Sequence, residues 1–180
     1  EGIYGEISLG DPVDPNTQMG PLITHTHLQR VMGYVQSGID QGARLVMGGQ
    51  PPTESEFARG AYLPPTMFDN VDPSMTIAQE EIFGPVVSII EWESEEQTLA
   101  IANAVRWGLT ASIWTQDLAR AHRMASQIQA GRVFVNHPIG GFPRMSYSAY
   151  KDSGIGVEGG VEGLAQFTQL KSVNIINETP

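Results

Sequence analysis

Two adjacent carboxylates and an aromatic residue precede a Gly-Pro turn in residues 79–85, which read Gln-Glu-Glu-Ile-Phe-Gly-Pro. The apolar run 86–90 follows at once. A carboxylate such as Glu81 can accept hydrogen bonds from two neighbouring sugar hydroxyls, and a ring such as Phe83 can lie against a flat heterocycle. The same residue types also fit a solvated helix end followed by a core phenylalanine. Ligand binding and a purely structural role therefore both stay open on this stretch alone.

The other chemically capable residues form weaker patterns. Residues 154–159 fit the G-x-G-x-x-G spacing. To hold a phosphate, that motif has to follow a buried strand and open a helix, whereas polar residues precede it here, so a hinge or a close-packed turn is favoured. His25 and His27 lie two residues apart, without the further converging ligands of a metal site. We therefore predict no metal centre.

The chain offers no obvious nucleophile for covalent catalysis. It contains no cysteine, which excludes thiolate chemistry and disulfides within it. No serine lies in a nucleophile elbow, and Lys151 beside Tyr150 is more simply explained as a surface lysine. The sequence thus contains parts of a ligand site and predicts no catalytic residue in this chain.

The charge balance argues against polyanionic partners. The chain has 20 acidic and 10 basic residues among 180, for a net charge of -10, so a nucleic acid or an anionic membrane surface would repel it. No apolar run approaches the roughly 20 residues that span a bilayer, and no signal peptide opens the chain. We expect a cytoplasmic protein that binds neither nucleic acid nor membranes. The first residue is Glu1, so we expect a processed chain or a piece of a longer one.

The first half of the chain predicts one long helix between turns and strands. Gly and Pro residues mark turns throughout residues 1–23. A helix capped by Thr24 or Thr26 is expected next, because apolar residues recur there at helical spacing. These residues are Leu28, Val31, Met32, Val35 and Ile39. Residues 43–47 predict a strand, and residues 63–69 are extended because two prolines forbid a helix.

From residue 85 onward the predicted order is strand, helix, strand, helix, strand. The strands are expected at 86–90, 109–115 and 132–136, and the first resembles a strand buried on both faces. Short connections of this kind join parallel strands through right-handed crossovers. With strand 43–47 added, the predicted fold class is α/β, an open and mostly parallel sheet with helices on both faces.

The loop after the last of these strands is a candidate binding segment. Ligands of open α/β sheets gather beyond the carboxyl ends of the strands. Strand 132–136 therefore directs loop 136–156 at whatever is bound. The loop contains His137, Phe142, Tyr147 and Tyr150. Of the histidines in the chain, only His137 has a position that indicates function.

The C-terminal residues predict a separate strand. Residues 171–176 alternate with period two apart from their last residue. We divide the chain into a main part, 1–170, and a terminal strand with its tail, 171–180. A terminal strand of this kind can pair with another subunit or form an ordinary edge in its own domain, and both remain open.

Taken together, the segments resemble the C-terminal part of the catalytic domain of NAD(P)-dependent aldehyde dehydrogenases. The matching residues run through the whole chain, and the Glu-x-Phe-Gly-Pro element is highly specific to that family. The matches are Gly10-Asp11-Pro12 with Asp14-Pro15, Met19 to Ile23, Pro65-Thr66, Glu80 to Val86, Asn103 with Gly108 to Ala111, Ala130 to Val133 with Asn136, and Lys151 to Gly154.

The resemblance implies roles for particular residues. In the family, the glutamate matching Glu81 binds the nicotinamide ribose hydroxyls, and the phenylalanine matching Phe83 borders the nicotinamide. The loop after residue 136 corresponds to the wall of the aldehyde tunnel, with Tyr147 at an aromatic position and His137 and Gly141 nearby. The implied cofactor is NAD or NADP, and the implied substrate is a small-molecule aldehyde.

The resemblance also implies where further contacts lie. His27 and Arg30 fall where the family's helix approaches the adenosine side of the cofactor. Residues 171–176 match the oligomerisation strand that pairs across subunits, so a homo-oligomer, a dimer or a tetramer, is implied for the complete enzyme.

The chain departs from the family pattern in several places. The family's cysteine nucleophile, its general-base glutamate and its main dinucleotide-binding domain all precede the first segment matched here. The usual Pro-Phe-Gly-Gly before the lysine is replaced by residues 146–149, Ser-Tyr-Ser-Ala, and a common arginine is replaced by Val157. These replacements imply an unusually shaped tunnel.

Two functions of different classes follow. In the first, the chain is the C-terminal catalytic-domain portion of an aldehyde dehydrogenase that oxidises an aldehyde to a carboxylic acid with NAD(P)+. The chain would then supply the ribose contact, the tunnel wall and subunit contacts, and would be inactive by itself because the nucleophile is missing. In the second, it is a noncatalytic binding or scaffold module derived from such a domain.

Overall fold

A computed structural model describes residues 2–138, 140–141 and 143–177. The chain divides into two compact units, with the boundary between Ser94 and Glu95. Helices and short strands are combined in both units, which confirms the α/β class. In the described part of the chain, no helix has the length and apolar character needed to cross a bilayer.

The first unit is built around one long helix. Its elements in chain order are α1 (Gly2–Gly5), α2 (His25–Asp40), β1 (Arg44–Met47), a 3-10 turn (Ser55–Phe57), β2 (Thr66–Asp69), α3 (Thr76–Gln79) and β3 (Val86–Ser88). The helix α2 begins where the sequence predicts, because the Thr24 hydroxyl oxygen accepts a hydrogen bond of 3.0 Å from the amide of His27. Val31 and Val35 on its inner face are almost completely buried.

The three strands of the first unit form one sheet in the order β1-β2-β3. β1 runs antiparallel to β2, and β2 runs parallel to β3. Strand 43–47 therefore enters its sheet in the opposite direction to that expected. The physical reason is that an antiparallel neighbour can be reached through a loop, here residues 48–65, without a crossover helix. Residues 66–69, expected only to be extended, form the central strand.

One apolar cluster joins the helix α2 to this sheet. Its buried members are Val31, Val35, Ala43, Leu63, Phe68, Val71, Ile77 and Ile82. Phe68 on the central strand is completely buried, whereas Val86 to Ser88 are only half-buried. The expectation that this strand is buried on both faces is wrong for the described chain, because β3 lies at the end of the sheet order rather than inside it.

The second unit contains a parallel strand pair and several very short strands. Its elements are α4 (Glu95–Ala104), β4 (Trp107–Gly108), β5 (Thr110–Ile113), α5 (Leu118–Gln127), β6 (Arg132–Val135), β7 (Tyr147–Ser148), β8 (Tyr150–Lys151), β9 (Val157–Glu158) and α6 (Gly160–Ala165). β5 and β6 pair in parallel through the helix α5, as the sequence predicts. β4 pairs with β8, and β7 pairs with β9, both antiparallel.

Two residues singled out by the family resemblance hold the second unit together. The Asn103 side chain donates to the carbonyl of Gln127 at 2.9 Å and accepts from the amide of Gln129 at 2.8 Å. Lys151 Nζ donates to the carbonyls of Asn103 and Val105 at 2.8 and 2.9 Å. The bonds of Lys151 satisfy carbonyls at the C-terminal end of α4, and the bond donated by Asn103 satisfies one at the C-terminal end of α5, where helix carbonyls lack intrahelical partners.

Salt bridges at the protein surface link the helix α5 to the start of α4. The Glu95 carboxylate accepts hydrogen bonds from Arg123 and from Arg120. The bond from Arg123 and, after it, the bond from Arg120 lower the pKa of Glu95 below its usual value, despite partial desolvation. The N-terminus of α4 is thereby linked to α5 while the carboxylate stays ionised at neutral pH.

The C-terminal segment has no regular structure in the single chain. Residues 171–177 form neither a helix nor a strand, and their apolar side chains, such as Val173 and Ile175, are exposed. A strand needs a neighbouring strand for its hydrogen bonds. The expected strand 171–176 and the division into 1–170 and 171–180 therefore stay predictions.

The packing of α2 predicts opposite effects for two glycine-to-alanine substitutions. A Cβ atom on Gly84 would lie 2.8 and 2.9 Å from the two methyl groups of Val31, so we expect Gly84→Ala to lower the free energy of unfolding by about 1–3 kcal/mol. Gly33 lies within α2 and a Cβ atom there meets nothing within 4 Å, so Gly33→Ala should raise that free energy by about 0.5–1 kcal/mol. Urea unfolding followed by circular dichroism measures both, and a stable Gly84→Ala variant would contradict the close packing.

Candidate functional site

One face of the helix α2 carries three polar or aromatic side chains that contact the segment 80–84. His27, Arg30 and Tyr34 follow one another at spacings of three and four residues, which places them on the same side of a helix. Arg30 also lies over the Tyr34 ring, 5.5 Å from its centroid. These three side chains form a polar face of α2 that is directed at the segment containing Glu81 and Phe83.

Each residue of this polar face contacts a different part of the segment 80–84. Arg30 Nη2 donates a hydrogen bond of 2.9 Å to the backbone carbonyl of Glu81. The Tyr34 hydroxyl donates a hydrogen bond of 2.8 Å to the Glu80 carboxylate. Arg30 thereby binds the Glu81 backbone and leaves that residue's side chain available.

The Glu81 side chain is exposed. Among the described residues, none donates a hydrogen bond to its carboxylate. A carboxylate accepts up to about four hydrogen bonds, so this group retains its full capacity for a ligand with neighbouring hydroxyl groups. The sequence-predicted role of Glu81 as an acceptor is compatible with this geometry.

Phe83 combines an exposed ring with an unusual backbone. Its side chain is 72% exposed and its φ is 54°, a left-handed conformation that is rare for a bulky residue. The ring stacks on His27, with centroids 6.3 Å apart and an interplanar angle of 29°. The ring is thus held outside the core by a backbone conformation that costs of order 1–3 kcal/mol.

His27 contributes a polar atom without a partner. Its Nε2 atom is buried and has no hydrogen-bond partner in the described chain. A buried polar atom of this kind normally finds a partner, so a ligand or a water is expected beside it. His27, Glu81 and Phe83 thus combine an unpaired imidazole nitrogen, a carboxylate without a donor among the described residues, and an exposed ring.

The close approach behind the segment fixes its position. Gly84 packs on the completely buried Val31, and the next residue, Pro85, accepts a hydrogen bond of 2.8 Å from the amide of Thr66 at the start of β2. Ile82 is buried in the cluster under α2. The residues on either side of Ile82, Glu81 and Phe83, are exposed.

The second group of predicted residues lies in the other unit. The Tyr147 ring lies under the Arg132 guanidinium, whose central carbon is 3.9 Å from the ring centroid. Its hydroxyl donates a hydrogen bond of 2.8 Å to the Glu158 carboxylate. That bond, followed by desolvation and the charge of Glu158, raises the pKa of Tyr147 above its usual value. Tyr147 is therefore a neutral, fixed aromatic group at neutral pH.

Two described residues of loop 136–156 are bonded to the side chain of Arg132. Arg132 donates to the carbonyls of Gly140 and Met145 at 3.3 and 3.1 Å. His137 is exposed and its ring stacks near Phe134, with centroids 5.9 Å apart. Gly141 is exposed, and Phe142 lies outside the described residues. The roles of Tyr147, His137 and Gly141 as tunnel residues stay predictions.

The glycine-rich stretch 154–159 forms a packed turn. A Cβ atom on Gly159 would lie 2.7 Å from the carbonyl oxygen of Met145, and the φ of this glycine is 69°. The amide and the carbonyl of Val157 both bind the side chain of Gln166. The amide of Val157 therefore faces a protein group, and the interpretation of the stretch as a hinge or a close-packed turn stays a prediction.

Two functional contributors were not predicted from sequence. Tyr34 and Arg132 contact site residues that lie 46 and 15 positions further along the chain. The only sequence signal for Tyr34 was its helical spacing from His27 and Arg30, which places the three on one face. Arg132, at the start of β6, lies in the matching segment 130–133, but that match gave no sign of its contact with Tyr147.

Comparison with known proteins places this geometry in a family. Residues 4–173 match the model of the aldehyde dehydrogenase family. Aldehyde dehydrogenase from Mycobacterium tuberculosis, solved with NAD+, is 44% identical, with a TM-score of 0.88 over 93% of this chain and 34% of that one.

Two further solved structures are similar. A point mutant of betaine aldehyde dehydrogenase from Staphylococcus aureus in complex with NAD+ is 34% identical, with a TM-score of 0.89 over 92% of this chain and 34% of that one. A mutant aldehyde dehydrogenase from Bacillus cereus is 35% identical, with a TM-score of 0.89 over 96% and 34% of the two chains. The chain spans about a third of the length of these structures. It belongs to the aldehyde dehydrogenase family.

Proposed function

We propose that this chain is the C-terminal portion of the catalytic domain of an NAD(P)-dependent aldehyde dehydrogenase. The complete enzyme oxidises an aldehyde to a carboxylic acid. The observation that carries the proposal is the exposed Glu81 carboxylate beside the exposed Phe83 ring, within a chain that matches the family over residues 4–173.

The first unit contributes contacts to the cofactor, NAD or NADP. Glu81 accepts hydrogen bonds from the hydroxyls of the nicotinamide ribose, and Phe83 borders the nicotinamide ring. His27, whose Nε2 atom has no hydrogen-bond partner in the described chain, supplies a further hydrogen-bonding group toward the adenosine side of the cofactor. When bound, the cofactor accepts a hydride from the substrate. The residues of this chain bind and orient that group and hold its ring against Phe83.

The second unit contributes a wall of the aldehyde tunnel. Tyr147 is the aromatic surface of that wall, and its ring and hydroxyl are both fixed, by Arg132 and Glu158 respectively. His137 and Gly141 lie on the same loop and line the tunnel nearby. A rigid aromatic group selects substrates by shape, because it cannot move aside for a bulkier aldehyde.

Other parts of the reaction lie outside this chain. The chain contains no cysteine, so the nucleophile that forms the covalent intermediate comes from the preceding part of the polypeptide, together with the general base. Residues 171–176, whose apolar side chains are exposed, pair across subunits in a homo-oligomer, a dimer or a tetramer. The cytoplasmic location stays a prediction.

The division of labour predicts that the isolated chain is inactive. NADH production from any aldehyde should stay at the uncatalysed rate, because binding groups without a nucleophile cannot form the covalent intermediate. Steady turnover would contradict the proposal.

Reading the gene upstream of Glu1 separates the two functions that the sequence left open. A continuous frame with a cysteine supports the enzyme portion, and a start codon at that point supports a noncatalytic module.

The proposed ribose contact predicts a loss of cofactor interaction in Glu81→Gln. A neutral amide replaces a charged acceptor, so in the complete enzyme we expect a loss of about 1–3 kcal/mol, seen as weaker NAD(P)+ binding or slower hydride transfer. Steady-state and single-turnover kinetics measure both. Glu54→Gln, which changes an exposed glutamate away from the segment 80–84, is the matched control. Wild-type kinetics in Glu81→Gln would mean that this carboxylate is only solvated.

The tunnel wall predicts a different pattern for Tyr147. We expect Tyr147→Ala to alter the ratio of kcat/KM between small and bulky aldehydes by about tenfold, with little effect on cofactor affinity, because it removes a ring that restricts substrate shape. Tyr147→Phe keeps the ring, loses only the bond to Glu158 and should retain most of the selectivity. A variant with altered cofactor affinity and unchanged aldehyde preference would remove Tyr147 from the tunnel.

A further inference from the structure

We propose that Tyr34 and Glu80 form a positioning pair that sets the cofactor-binding groups of the neighbouring residues. Their hydrogen bond, 2.8 Å from the Tyr34 hydroxyl to the Glu80 carboxylate, joins residues 46 positions apart. Neither residue belongs to the set assigned to the cofactor. This inference rests on the proposed function, since it explains how Glu81 and Phe83 come to be presented.

The pair is one of four contacts arranged in register between the helix α2 and the segment 80–84. Along the helix, Tyr34 holds Glu80, and Arg30 holds the carbonyl of Glu81. The remaining two contacts are made by a buried residue next to Arg30 and by a stacked residue one turn nearer the N-terminus of the helix. They are Val31 against Gly84 and His27 against Phe83. The segment is therefore aligned along about two turns of helix.

This alignment is needed because the segment contains a strained residue. Phe83 has a φ of 54°, and a residue in that region costs of order 1–3 kcal/mol unless its surroundings hold it there. On one side of Phe83, Gly84 is fixed by its close contact with Val31. On the other side, the anchors are the bonds to Glu80 and to the carbonyl of Glu81. The Tyr34 hydroxyl thus fixes the N-terminal end of the segment 80–84, and the contact of Gly84 with Val31 fixes its C-terminal end.

The residues that precede the segment 80–84 are also attached to the end of α2. The Gln41 side chain, just after the helix, accepts from the amide of Thr76 and donates to its hydroxyl oxygen, both at 2.8 Å. The amide of Glu80 then donates to the carbonyl of Thr76 at 2.9 Å, which ends α3. Residues 76–80 are therefore held at both ends, at Gln41 and at Tyr34, and a loss of the second anchor frees the residues that follow.

The pair lies where a bond contributes to geometry more than to folding. Glu80 is exposed and Tyr34 is half-buried. Removal of the hydroxyl leaves the apolar cluster under α2, including Ile82, unchanged. An exposed polar contact adds little to global stability. Loss of this hydrogen bond is therefore expected to change the geometry of the segment 80–84 and to leave the melting temperature almost unchanged.

The test uses Tyr34→Phe in the complete enzyme, which deletes one oxygen atom. Without cofactor, deuterium uptake of a peptide covering residues 80–86 should rise, because the amides of Glu80 and Val86 lose protection. The dissociation constant of NAD+, from calorimetry, should rise about 3- to 10-fold, with KM following it and the melting temperature almost unchanged. Tyr62→Phe, which deletes a hydroxyl bonded to the Gly10 carbonyl in the same unit, should change none of these site measurements.

Variants of the acceptor give an independent check. Glu80→Gln keeps an oxygen that accepts from the tyrosine and should retain nearly normal NAD+ affinity, whereas Glu80→Ala should match Tyr34→Phe. The double variant Tyr34→Phe/Glu80→Ala should be no worse than either single variant, because both remove the same bond. Additive losses would overturn the pairing.

The outcomes separate this inference from the function on which it rests. Normal NAD+ affinity in Tyr34→Phe and Glu80→Ala, with weakened affinity in Glu81→Gln, overturns the positioning pair and leaves the ribose contact standing. Normal affinity in all three variants overturns the cofactor role of the segment itself. A lower melting temperature with unchanged affinity and uptake would mean that the bond is merely structural, and would also overturn the pair.

Discussion

The contact between Gly84 and Val31 is the constraint on which the candidate site depends. Only a residue without a side chain brings the backbone this close to the completely buried Val31. Next to this contact Ile82 is buried in the same cluster, whereas Glu81 and Phe83 on either side of it are exposed. The exposed groups of the candidate site and the packed core thus share one short segment.

The sequence predicted the long helices and the crossover, and it missed most short pairings. Strong apolar periodicity and the Thr24 cap located α2, and the pattern of strand, helix and strand located β5, α5 and β6. The prolines at 64 and 65 obscured the central strand β2, because proline disfavours a strand interior although the strand begins just after it. Two-residue strands such as β7 and β9 have no periodicity to detect, and their pairing is decided by tertiary contacts.

The candidate site was predictable in its exposed groups and not in its support. Glu81 and Phe83 both belong to the Glu-x-Phe-Gly-Pro element, so their chemistry could be inferred from neighbouring residues in the sequence. Their supports, Arg30 and Tyr34, lie 51 and 46 residues away from the groups that they bind. No local pattern reveals such a contact, because it depends on how α2 crosses the end of the sheet. The strained backbone of Phe83 was likewise invisible in the sequence.

Polar groups that match the family divide into two kinds by whether their hydrogen bonds are already made. Asn103 and Lys151 use their polar atoms on the carbonyls and amides at helix ends, so their contribution is complete within the chain. Glu81 and His27 Nε2 have no such partners among the described residues. A buried or preorganised polar atom without a partner costs free energy that a ligand can recover. The chain therefore contains polar residues whose hydrogen bonds are made within the fold and polar residues whose hydrogen-bonding capacity is unused among the described residues.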